Sequence, residues 1–167
     1  MNVDTSNKFV RFLLSHLQRY HPERYWKMRA EVVNPNSKKP KWLRYLYLYL
    51  IKRSDAFNCA SMGTDMGQGA QFLSPPILPH GLNGIIVSHF AKIGANVTIH
   101  QQVTIAQGPN KTAATIGNNC LIGAGAKIIG EVTIGDNVKI GANAVVVKDI
   151  PSNCIAVGVP ACVKDSK

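Results

Sequence analysis

The chain is short of acidic residues. Nine Asp and Glu stand against 19 Lys and Arg, giving a formal charge of +10. It has no unbroken apolar run of the roughly 18 to 20 residues needed to span a bilayer. Its most apolar stretch, Trp42 to Ile51, sits between Lys41 and the Lys52-Arg53 pair. The opening MNVDTSNKFVRFLLSHLQRY carries polar and charged groups where a signal peptide has a clean apolar block, so a cytoplasmic protein is expected. Cys59, Cys120, Cys154 and Cys162 form no C-x-x-C pair and have no metal-like spacing to histidine, which predicts free thiols and no bound metal. Arginine disappears after Arg53, and both Trp and all five Tyr precede that position.

These absences divide the chain in two. Residues 1–55 hold 12 Lys and Arg against 4 Asp and Glu, whereas the remainder holds 7 against 5. The first part reads as helical. KFVRFLLSHLQRY places Phe9, Phe12, Leu13 and Leu17 near one face, and HPERYWKMRAEVV follows with Pro22 suited to a first helical turn. NPNSKKP is a break, and KWLRYLYLYLIKR is long enough for a helix despite its Leu/Tyr alternation. This segment has no nucleic-acid-binding motif, and no nucleic-acid partner is expected. Its charge suits peripheral contact with an anionic membrane surface. Its Leu and Tyr suit a cap that packs on the next part and covers an open sheet edge.

Residues 56–167 repeat with a period of six. Ile93, Ile99 and Ile105 are followed, after one interruption, by Ile116, Ile122, Ile128, Ile134, Ile140 and Val146. Glycine comes next at 94, 117, 123, 135 and 141, and a second small apolar residue stands four positions on, from Val97 and Val103 to Ala144. Asn96, Asn119, Asn137 and Asn143 precede that second apolar residue, and asparagine tolerates left-handed backbone angles at a corner. Neither a helix (period 3.6) nor a plain strand (period 2) explains six. A short strand plus a turn does, with three such units closing a triangular coil of about 18 residues. Stacked coils bury an aliphatic column that no single coil buries alone. From Ile105 to Ile116 is 11 residues, so a polar insertion near 106–115 is expected to loop out of the prism.

The hexads, this interruption and the ending VKDIPSNCIAVGVPACV resemble the hexapeptide-repeat acyltransferases over roughly residues 58–163. The resemblance is nearest to serine O-acetyltransferases and to the small colanic-acid-type enzymes of surface-polysaccharide loci. It implies a mainly β fold, a left-handed parallel β-helix with a short N-terminal α-helical segment, which is an exception to right-handed crossovers. It also implies a homotrimer with active sites between subunits and acetyl-CoA as co-substrate.

Serine acetyltransferases carry a histidine ahead of a GIVV-like strand, and PHGLNGIIVS matches with one extra residue, which makes His80 the general base by resemblance. Such a group is needed because an alcohol is a poor nucleophile at neutral pH and imidazole can take its proton. His100, 20 residues later and near one coil's length, is placed to line the same cleft. His89 takes the third position of a hexad begun at Val87 and reads as outward-facing. The family's orienting aspartate matches Asp55 in DAFNCASMG, with Asp65 as the competing candidate. By resemblance to galactoside acetyltransferases, Ala124, Ala142, Val147 and Lys148 contact coenzyme A, and Lys148 or Lys164 meets its phosphates as a point charge.

The acceptor is read from what is missing. GPNKTAATIG lacks the further histidine of related loops, the Asp-Arg-His motif of the serine enzymes is absent, and no guanidinium is available beyond Arg53 to clamp a carboxylate. The expectation is therefore O-acetylation of a carbohydrate hydroxyl on a surface polysaccharide or its precursor. Serine O-acetylation is the alternative, and a catalytically silent scaffold is more distant. The histidine spacings of 9 and 11 do not fit the zinc sites of γ-type carbonic anhydrases on the same fold.

Overall fold

The structure, a computed structural model, describes residues 17–165. Helix α1 (Pro22–Val33) begins at the proline, and α2 (Lys41–Phe57) begins after Pro40, with NPNSKKP between them. The amphipathic pattern around Phe9, Phe12 and Leu13 lies outside the described residues. No helix among the described residues is long and apolar enough to cross a membrane.

Sixteen short strands follow among the described residues. They are β1 (Ser61–Met62), β2 (Thr64–Asp65), β3 (Gln68–Gly69), β4 (Gln71–Phe72), β5 (Ile86–Val87), β6 (Lys92–Ile93), β7 (Thr98–Ile99) and β8 (Thr104–Ala106). Then come β9 (Thr115–Ile116), β10 (Leu121–Ile122), β11 (Lys127–Ile129), β12 (Thr133–Ile134), β13 (Lys139–Ile140), β14 (Val145–Val146), β15 (Cys154–Val157) and β16 (Cys162–Asp165). Thirteen of them stack into a three-sided left-handed parallel β-helix of about four turns, β16 adds antiparallel to one side, and β2 and β3 pair as a separate hairpin. Side one is β1-β5-β8-β11-β14, side two is β7-β10-β13-β15-β16, and side three is β4-β6-β9-β12. The chain runs three, two, one and then drops to the next coil.

The hexad residues form the core as expected. Ile99, Ile105, Ile122, Ile128 and Val146 are fully buried, and Val97, Val103, Ala126, Val138 and Ala144 fill the corners behind them. Asn96, Asn119, Asn137 and Asn143 all adopt positive φ, between 56° and 58°. On the corner from side three to side two the asparagines also join side chain to side chain. Asn96 Nδ2 donates to Asn119 Oδ1 (3.3 Å), Asn119 to Asn137 (3.3 Å) and Asn137 to Asn153 (2.9 Å). Glycine at the second hexad position reflects close stacking, since a Cβ on Gly123 would sit 2.6 Å from the backbone N of Ala142 in the next coil.

The first coil is longer than the rest. Met62 pairs with Val87, 25 residues on, whereas Ile128 pairs with Val146, 18 residues on. The surplus lies in the antiparallel β2–β3 hairpin and in the turn through residues 79–84. Between β8 and β9, residues 107–114 leave the prism as a loop closed by Gly108 N–H to the Thr112 carbonyl (2.8 Å).

The helices cap this long coil through α1. The buried Arg29 guanidinium donates to the carbonyls of Met62, Gly63 and Ala70 and to Thr64 Oγ1, and lies 4.7 Å from the Phe72 ring centroid. Burial lowers its pKa to about 10, which leaves it charged at neutral pH. Arg44 reaches back to the carbonyls of Glu31, Val32 and Asn34 and so satisfies the C-terminus of α1. The Leu/Tyr stripe of α2 packs only in part, with Tyr47 and Leu48 against the core. Helical spacing places Arg44, Ile51, Ser54 and Asp55 inward, and that turns Trp42, Tyr45, Leu46 and Tyr49 to solvent.

Candidate active site

Four of the sequence-nominated residues fall on one edge of the prism, the corner from side two to side one. His80 occupies the turn after Ile77, which bridges to Thr98 of side two. Buried Leu82 and Ile85 anchor that turn, and positive φ at Gly81 and Gly84 permits its reversal. His100 follows Ile99 on the next coil, its N–H held by the Ile122 carbonyl (3.0 Å). The two rings come within 6.0 Å, centroid to centroid, at 44°. Below them stand Ala124 and then Ala142, in register because Asn143 N–H donates to the Ala124 carbonyl (2.8 Å). With coils about 4.8 Å apart, this corner presents two imidazoles above a wall of small side chains.

Gln101 belongs to this corner and was missed. Its Oε1 is shielded from solvent and has no hydrogen-bond partner among the described residues. Glutamine at a hexad corner carries no distinctive sequence signal.

The next corner, from side one to side three, collects the remaining polar groups. His89 is half-buried there, after β5, with Nε2 2.7 Å from Asp65 Oδ2 in the β2–β3 hairpin. The contact is close but is not an aligned hydrogen bond. Lys52 of α2 reaches the other Asp65 oxygen at 3.7 Å. His89 is therefore not simply an outward-facing side chain, and Asp65 sits beside it rather than in a resolved contact with His80. The pairing was hidden by the length of the first coil, which offsets the two by 24 positions instead of 18. Loop 107–114 and the exposed Val147 and Lys148 occupy the same corner on lower coils. Lys164 lies apart on β16, opposite Ile155.

Asp55 stands on α2, ahead of the solenoid. It is 3 % exposed and lies in the junction between helices and first coil, where Oδ1 accepts the Tyr25 hydroxyl at 2.6 Å. Burial pushes its carboxyl up to about 6, against the Tyr25 hydrogen bond, Lys52, the Met62 N–H and Arg29, which favour the charged form. Its Oδ1 is taken by Tyr25, and its Oδ2 has no hydrogen-bond partner among the described residues.

Comparisons with known proteins agree with this geometry. Residues 113–148 match the family model described as bacterial transferase hexapeptide (six repeats). The chain is 42 % identical over 120 residues to the serine acetyltransferase of Staphylococcus xylosus, covering 70 % of this chain and 54 % of that one. The soybean serine acetyltransferase apoenzyme is similar in structure, with a TM-score of 0.63 and 33 % identity over 72 % of this chain and 49 % of that one. A serine acetyltransferase in complex with CoA gives a TM-score of 0.61 and 31 % identity, over 74 % and 49 %. The chain thus spans about half the length of the relatives it matches. With these likenesses, the chain has the hexapeptide repeat and the left-handed β-helix fold of the hexapeptide-repeat acyltransferases.

Proposed function

We propose that the protein is an acetyl-CoA-dependent O-acetyltransferase whose acceptor is the hydroxyl of serine. The observation that carries the reading is the approach of His80 and His100 to 6.0 Å on one corner, directly above Ala124 and Ala142. His80, exposed on its turn, takes the hydroxyl proton as the oxygen bonds to the thioester carbonyl carbon. The C–S bond then breaks, and the proton passes from His80 to the departing thiolate. His100 supports the charged imidazole or holds the acceptor. Holding both reactants together supplies the proximity that removes any need for an acyl-enzyme.

Coenzyme A would run from this corner toward cations elsewhere on the prism. Ala124 and Ala142 leave room for its pantetheine arm, and the exposed Lys148 and Lys164 offer cations to its phosphates. Because candidate groups divide between two neighbouring corners, a three-fold assembly would complete the site. In a ring of three the contact is heterologous, so one subunit's His80 corner faces the next subunit's His89, Asp65 and loop 107–114.

The likeness to serine acetyltransferases moves the acceptor from the carbohydrate expected from sequence toward serine. In loop 107–114 the only charged side chain is Lys111, which is available to a substrate carboxylate as a point charge. A carbohydrate hydroxyl is the second reading, favoured by the lack of any arginine beyond Arg53. Thiol release from acetyl-CoA, measured with serine and with a panel of sugars and nucleotide sugars, separates them. Turnover with serine that weakens in KM on Lys111→Ala supports the first. Turnover only with a sugar replaces it with the second.

A further inference from the structure

The side of α2 that faces away from the solenoid has no role in the chemistry above. Trp42, Tyr45, Leu46 and Tyr49 follow one another at helical spacing and are 70, 60, 45 and 61 % exposed. Four large, mainly aromatic side chains in one stripe form a patch rather than a scatter of single exposed residues. Every exposed charge on α2 is positive, namely Lys41, Lys52 and Arg53, with Lys38 and Lys39 just before it. Its one acid, Asp55, is buried on the opposite side.

One turn beyond Tyr49 on the same face stands Arg53, which leads into a cavity of about 410 Å³. Arg19, His21, Arg24 and Arg53 line it, with Tyr25 and Leu50, and no acid is among the described lining residues. None of the three arginines has a carboxylate partner among the described residues. The α1 N-terminus opens nearby without a side-chain cap at His21. An aromatic stripe therefore runs into an arginine-lined hollow.

We propose that this face docks the protein on an anionic phospholipid bilayer, with the stripe at headgroup depth and the arginine hollow taking a lipid phosphate. Trp and Tyr favour that depth because a flat apolar ring and a polar edge meet both environments there. A helix of 17 residues with one apolar face and cationic flanks lies in the interface plane rather than crossing it. The charge also selects against a second copy of the chain, whose matching face would bring like charges together. The inference is independent of the acetyl-transfer reading.

The full-length protein is floated with vesicles of phosphatidylcholine alone and with about 30 % phosphatidylglycerol, a content that supplies the negative surface. Binding to the anionic vesicles, released by salt, is expected, with a blue shift in emission that Trp42→Phe abolishes. Arg24→Ala combined with Arg53→Ala is expected to weaken binding roughly 30-fold. Trp42→Ala combined with Tyr49→Ala should also release the protein, with circular dichroism confirming that each variant is folded. No flotation with anionic vesicles, equal binding to neutral ones, or folded variants that bind like wild type would overturn the proposal. So would inorganic diphosphate binding without vesicle binding, which assigns the hollow to a free phosphate compound. Self-association abolished by the stripe variant would assign the face to a second copy.

Discussion

Replacing Asp55 by asparagine removes a charge from a site that can hardly solvate one, while keeping an oxygen for the Tyr25 hydroxyl. In the folded protein the carboxyl has Oδ1 on Tyr25, Oδ2 without a hydrogen-bond partner, and 3 % exposure. Its pKa is pushed up to about 6, chiefly by burial, from the usual aspartate value near 4. The native state therefore binds a proton more readily than the unfolded chain. By linkage, the contribution of Asp55 to stability is fully present below about pH 4 and is lost as pH rises through about 6. The difference of roughly two pKa units corresponds to about 3 kcal/mol. Urea denaturation of wild type and Asp55→Asn, at equal protein concentration and at several pH values from 4 to 8, isolates this term from other titrations. The variant is expected to gain on the wild type between pH 4 and 7 by an amount approaching that figure. A pH-independent difference, or a variant that loses ground as pH rises, would refute the buried-carboxyl reasoning. Acetyl transfer by the variant is expected to stay near wild type, and a roughly 10²-fold fall would support Asp55 as the residue that orients the base.

Three further expectations concern the solenoid and its cap. Gly123→Ala drives a methyl into the backbone of the next coil and should cost roughly 2–3 kcal/mol, read as a fall in Tm of about 5–10 °C. Asn137→Ala loses two ladder hydrogen bonds and strains a residue at φ 58°, whereas Asn137→Gly loses only the bonds; thermal melts should rank Ala below Gly by roughly 1 kcal/mol. Arg29→Met strands the carbonyls of Met62, Gly63 and Ala70 and should destabilise by at least about 3 kcal/mol, measured by denaturant midpoint.

The repeat was legible because each hexad states its own rule locally. One aliphatic residue points inward, a glycine admits the neighbouring coil, and an asparagine accepts the corner angle, so Ile93 through Val146 could be placed without tertiary information. The first coil breaks that rule. Its hairpin and its 79–84 turn shift the register, which concealed the approach of Asp65 to His89. The pairing of His80 with His100 was readable because the sequence offset of 20 is close to one regular turn. The outward face of α2 was not, since composition tells that a helix is apolar but not which side its neighbours cover.

The central claim is that His80 on the corner between sides two and one removes the acceptor's proton. It is tested most directly by thiol release from acetyl-CoA, comparing wild type, His80→Ala and His89→Ala with the best acceptor. The account predicts a fall of roughly 10² to 10⁴ in rate for His80→Ala, with native circular dichroism. A His80→Ala enzyme as fast as wild type would contradict it, and a loss confined to His89→Ala would move the base to the His89–Asp65 pair.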